Sequence, residues 1–284
     1  MRSLYFGLLV SLTLAVFWAP LTTLIHFSSQ QEHYSHIILV PLITASLLFL
    51  QRKRVFSHVE TRWAAGLGVL VAGGLLYWLG QTHAPSASEN DRLSTASFSM
   101  VVIWVGVFVL CYGFRALCAG LFPMLFLFLM VPIPDVLLSQ AIVWLQTWSA
   151  DVSYLVFELV GVPIFRTGFI FLLPGLTIEV AKECSGIRSS LVLLIMSLLA
   201  GHLFLRSLLT KAALAVATLP LLVVKNGIRI VTLTLLSIYV DPRFLSGALH
   251  HHGGLLFFLF ALVLLTPVLR LLQKSERRVQ THRV

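Results

Sequence analysis

Cys184 stands where a short charged run, Lys182 and Glu183, meets a long apolar stretch. Arg188 follows four residues later. Further on, Lys225, Asn226 and Arg229 interrupt an otherwise apolar segment, and His250, His251 and His252 precede the last one. A thiol, a permanent cation and an imidazole together suit acyl transfer by cysteine. The thiol attacks a carbonyl, the cation holds the charge that develops on oxygen, and the imidazole moves protons.

Each residue has a plain reading beside the chemical one. Cys184 needs ionising to attack, and a helix N-terminus together with Arg188 one turn along would lower its pKa. The plain reading is a buried structural cysteine with Arg188 snorkelling to the membrane surface. Arg229 is the expected oxyanion stabiliser, with Asn226 on the same helical face to orient it or to donate a second hydrogen bond. The plain reading is an arginine bound to lipid phosphate. His250 is the expected general acid and base, and His251 or His252 fits the same role. Three adjacent histidines also suggest a metal site, but neighbours on a helix point about 100° apart and rarely converge on one ion. No metal and no cofactor is expected. Glu183 is placed to tune the thiol, and Lys225 reads as interfacial.

The elements that carry these residues are membrane helices. Of the 284 residues 58% are hydrophobic and 11% charged, against about a quarter charged in soluble domains. The fold class is all-α polytopic, with about eight transmembrane helices. The apolar runs are 4–25, 37–50, 63–79, 95–112, 116–131, 184–205, 212–240 and 254–272. The seventh run is too long for one straight crossing and has Pro220 and Gly227 as break points. Residues 136–160 are helical in pattern but interrupted by Gln140, Gln146, Asp151 and Glu158. They read as an interfacial helix, with Trp144 and Trp148 as interface rings. Residues 165–173 and 176–180 flank Pro174 and Gly175 and read as a β-hairpin beside the site.

Positive charge orients the bundle. The net charge is +9, and most Lys and Arg fall in loops such as Arg52, Lys53 and Arg54, as the positive-inside rule requires. That placement argues against a nucleic-acid partner. It puts both termini inside and places Cys184 and the histidines on the same outer face. The first apolar run reads as a retained helix, and the whole chain, 1–284, as one integral membrane domain. Cys111 and Cys118 read as small buried hydrophobes.

Three blocks, "EVAKECSGIRSS" at 179–190, "NGIRI" at 226–230 and "HHHGG" at 250–254, resemble the signature blocks of the exosortase/archaeosortase family. The likeness covers about 120–260. It implies a bacterial cysteine peptidase or transpeptidase in the inner membrane, with its site facing the periplasm. Its partners would be the C-terminal tails of exported proteins: a Pro-Glu-Pro motif, a transmembrane helix and a basic end. It also implies a link to exopolysaccharide systems. The competing reading is a transporter or polysaccharide-export permease, in which Arg229 lines an anion path and Cys184 has no role.

Overall fold

The computed structural model describes residues 2–57, 59–60, 63–82, 87–245 and 254–281, excepting the side chains of Glu32, Glu183, Cys184, Leu245 and 279–281. His250, His251 and His252 lie outside the described residues. The chain divides into two compact units, Met1–Leu138 and Ser139–Val284.

The first unit is helical. Helices α1 (Arg2–Val16) and α2 (Trp18–Gln30) replace the single span expected over 4–25, and they meet at a 73° bend. Pro20 explains the break. It has no N–H for the Val16 carbonyl, and its ring crowds that carbonyl, so α1 stops there. Helices α3 (Leu39–Leu50), α4 (Arg52–Val55), α5 (Trp63–Thr82) and α6 (Glu89–Tyr112) follow. Helix α6 (Glu89–Tyr112) starts six residues before the apolar run expected over 95–112. Ser88 caps it by accepting the Asp91 N–H at 3.0 Å, and Glu89 and Asp91 suit the positive end of the helix dipole.

The run over 116–131 is not one helix. It divides into α7 (Phe114–Ala119), α8 (Leu121–Phe126) and a 3₁₀ turn, Leu127–Met130. Gly120 separates the first two, and Pro123 crowds the carbonyl of Ala119, where α7 ends. Cys111 is buried as expected, whereas Cys118, on short α7, is exposed.

The second unit carries most of α9 (Asp135–Val160), the helix expected there. Strands β1 (Phe165–Thr167), β2 (Ile170–Leu173) and β3 (Leu176–Glu179) follow as an antiparallel sheet in that order. The expected hairpin is thus β2–β3, extended by a third strand. Helices α10 (Ile187–Phe204), α11 (Leu208–Tyr239) and α12 (Gly254–Thr281) complete the unit. Leu193, Leu214, Leu222, Val223, Ala261 and Leu265 form their shared core. Lipid tails are as apolar as these side chains, so the core is held by close packing rather than by exclusion from water.

Helix α11 is continuous through both expected break points, with Pro220 inside it. Glu276 of α12 closes the α10–α11 turn. Its carboxylate accepts the N–H groups of Arg206 (3.0 Å) and Ser207 (2.7 Å) and the Thr210 hydroxyl (2.5 Å).

By length and composition α5, α6, α10, α11 and α12 can each cross a membrane. The count rises to seven if α1 with α2, and Leu121–Met130 with α9, each make one span. Helix α3 is a shorter apolar helix of 12 residues. The protein is a multi-pass α-helical membrane protein.

Candidate active site

The sheet delivers the chain to the site. Phe171 and Leu173 of β2 turn inward with Val180 and pack on Ala150 and Phe157 of α9 and Val231 of α11. The Phe157 and Phe171 ring centroids are 6.1 Å apart. Arg166 of β1 bonds Asp151 of α9 at 2.6 Å and lies over the Phe171 ring. Phe171 is fully buried in this joint.

Val180, directly after β3, is held in three ways. Its side chain is 1% exposed, its N–H donates to Phe169 O at 2.9 Å, and its carbonyl accepts from Gln146 Nε2 of α9. The chain then makes a 3₁₀ turn, Lys182–Ser185, whose backbone carries Cys184. Gly186 ends that turn with φ +71°, a left-handed conformation that an L side chain enters only with strain. Gly186 also starts α10: its carbonyl accepts the Ser190 N–H at 2.9 Å and the Ser189 hydroxyl at 3.1 Å.

Helix α11 grips the same turn. A Cβ on Gly186 would stand 2.7 Å from Asn226 Oδ1, so the Asn226 amide lies flush against this backbone. Asn226 is fully buried and donates to Ser149 Oγ of α9 at 3.0 Å. The neighbouring Gly227 lets α9 and α11 approach closely, because a Cβ there would meet Val152 Cγ1 at 2.6 Å. Ser153 donates to the Gly227 carbonyl at 3.3 Å. Lys225 donates to Ser189 Oγ of α10 at 2.5 Å.

One face of α9 therefore carries the site. Gln146, Ser149 and Ser153 are buried at i, i+3 and i+7, and they hold, in turn, the segment before Cys184, the residue that abuts the segment after it, and the α11 backbone. The sequence reading missed all three as site residues and took Gln146 as a sign of an interfacial helix. Their helical spacing was the available signal.

The expected residues fall as follows. Cys184 is placed by its backbone; its side chain and that of Glu183 are outside the described ones. Arg188 lies in the first turn of α10 and is exposed. It does not share a helix with Cys184, because Gly186 separates the 3₁₀ turn from α10, so the expected one-turn stacking on a common face does not hold. Asn226 is brought against the Cys184 segment. Arg229, half-buried, is one turn beyond Lys225 on α11. Lys225 is buried rather than open to lipid or water: it is 1% exposed, and the Ser189 hydroxyl gives its amine a partner among packed helices.

The arrangement can present a reactive group from a turn fixed on both sides, at the N-terminal end of an 18-residue helix. Such a helix end favours negative charge, which is what an attacking thiolate and a developing oxyanion carry.

A family model described as transmembrane exosortase (Exosortase_EpsH) matches residues 27–267. Comparison with curated proteins and with solved structures gave no match. The chain belongs to the transmembrane exosortase family.

Proposed function

We propose that this transmembrane exosortase is a cysteine transpeptidase that cuts the C-terminal sorting segment of exported proteins. The observation that carries the reading is the double clamp on the Cys184 turn, by Gln146 at Val180 and by Asn226 at Gly186. A merely structural cysteine needs no such support, whereas a nucleophile gains rate from a fixed approach to its carbonyl.

His250, or His251 or His252 in its place, takes the thiol proton. The Cys184 sulfur then adds to the scissile carbonyl carbon, and the C=O electron pair moves onto oxygen, where the Arg229 guanidinium stabilises it. Collapse breaks the C–N bond. The imidazolium protonates the departing amine, and the acyl part stays on sulfur as a thioester. An amine or water then takes the acyl group and the thiol is restored. The α10 N-terminus, with Arg188 in its first turn, favours the thiolate, Asn226 positions the turn, and Glu183 tunes the nucleophile. The substrate is a tail with a Pro-Glu-Pro-type motif, a transmembrane helix and a basic end. The enzyme works in the bacterial inner membrane with its site toward the periplasm, in an exopolysaccharide-linked export system.

The test is processing of a co-expressed reporter that carries such a tail, followed by immunoblot at matched enzyme levels. Cleavage by the wild type and its loss in Cys184→Ala is the expected result. Equal cleavage by both removes Cys184 from the mechanism.

A further inference from the structure

We infer that the outer edge of β3 is a docking strand for an extended polypeptide. The substrate tail adds there as a fourth strand, recognised through its backbone and led along the edge toward Cys184. The inference rests on the function proposed above and names how that site takes its substrate.

The register decides which groups are available. Ile170 pairs with Glu179, Phe171 with Ile178, Leu172 with Thr177 and Leu173 with Leu176. The Val180 N–H bonds Phe169 O, which fixes Ile170 and Glu179 as a pair that exchanges no hydrogen bonds. Alternation then turns the N–H and C=O groups of Leu176 and Ile178 toward β2. Those of Thr177 and Glu179 point away from the sheet. β3 is an end strand in the order β1-β2-β3, and among the described residues no hydrogen bond is made to these outward groups. Both side chains are exposed as well.

Two donors and two acceptors spaced two residues apart match an extended chain, whatever its side chains. Bare strand edges are a hazard that proteins usually cover or break up, and in a membrane protein unpaired backbone groups require water or a peptide partner. Continuity identifies the occupant. The residue after Glu179 is Val180, gripped by Gln146, and the Cys184 turn follows within the same clamped segment. A peptide paired at Glu179 therefore has its next residues beside the segment that carries the proposed nucleophile. A second copy of this chain, pairing edge to edge, is the alternative occupant.

The outward register supplies a clean perturbation. Proline removes an N–H, and at Thr177 or Glu179 the one removed is not used by the β2–β3 ladder. Thr177→Pro and Glu179→Pro are each compared with the alanine variant at the same position, using the reporter tail as substrate. Processing is expected to fall at least tenfold further in each proline variant than in its alanine counterpart. Alkylation of Cys184 by a small charged thiol reagent checks that the turn still forms. Equal processing by proline and alanine variants overturns the inference.

Docking is read without chemistry in a Cys184→Ser, Cys118→Ser background that carries Thr177→Cys. Single cysteines are placed at successive positions along the reporter tail, and disulfides are trapped with a mild oxidant. Trapping at every second position supports strand pairing. Trapping without that alternation, or none, overturns it, and Thr177→Cys linking two enzyme copies assigns the edge to self-association instead. If Cys184→Ala leaves processing intact, the proposed function fails, while the trapping result still decides the docking strand.

Discussion

Gly186→Ala probes the joint between the Cys184 turn and α11. Two costs arise at once. Alanine at φ +71° costs about 1–2 kcal/mol. Its Cβ would also stand 2.7 Å from Asn226 Oδ1 and 3.0 Å from Cγ, and overpacking of this kind adds about 1–3 kcal/mol. Asn226 has no room to yield, being fully buried and bonded to Ser149. The expected loss is about 2–5 kcal/mol, the sum of those two ranges. Asn226→Ala alone leaves the buried Ser149 hydroxyl without this donor and costs about 1–3 kcal/mol.

Combining the two removes the clash and keeps the backbone strain. The double variant should therefore be about 1–3 kcal/mol more stable than the sum of the singles predicts. Unfolding by SDS titration in mixed micelles gives all four corners of this cycle. The displaced turn also misplaces the nucleophile, so reporter processing by Gly186→Ala should fall about a hundredfold, the scale of a 1 Å error. The reasoning is refuted if Gly186→Ala lies within about 0.5 kcal/mol of wild type, or if the two substitutions are additive.

Gln146→Met keeps the bulk but strips the Val180 carbonyl of its donor; about 1–3 kcal/mol should be lost in the same titration. Gln146→Glu should not rescue it, because an ionised carboxylate only accepts. Glu276→Ala leaves the Arg206 and Ser207 N–H groups before α11 without their acceptor and should cost about 0.5–1.5 kcal/mol, while the alkylation rate of Cys184 stays at the wild-type value. In the first unit, burial holds the imidazoles of His33 and His36 below the ordinary histidine value. Well above about pH 6.5 both are neutral, folded or unfolded, so their contribution to stability is flat there. As the pH falls below that value the unfolded chain takes up protons that the folded chain resists, and stability drops. Unfolding measured between about pH 7.5 and 5.5 should show this fall, and the double variant His33→Gln, His36→Gln should flatten it.

What the sequence made legible was local. The apolar runs marked most helices, and Pro174 and Gly175 between alternating segments marked the β2–β3 turn. The change from charged to apolar residues marked the Cys184 junction. The broken helices were readable in principle, because Pro20 and Pro123 each stand four residues beyond a helix end. The α9 stripe showed in its helical spacing, but the partners it faces were not readable from one segment. Gln146 meets Val180 from 34 residues away, and Ser149 meets Asn226 from 77 away, so no spacing rule within a helix could pair them. Without those partners, buried polar residues look like the wet face of an interfacial helix. Lys225 misled for the same reason: its partner Ser189 is on another helix, 36 residues earlier.

The grip of Asn226 on Gly186 also sets a schedule for biogenesis. A ribosome makes Cys184 before it makes the residue that completes the support for its turn. Asn226 follows about 42 residues later, a delay of about 2–8 s at about 5–20 residues per second. During that interval the nascent chain holds the cysteine on a half-built mount, with Gln146 already synthesised and α11 still to come. The site therefore matures only after α11 has entered the membrane and packed on α9. A chain stalled or cut short before Asn226 would carry the thiol without the geometry proposed to make it an enzyme.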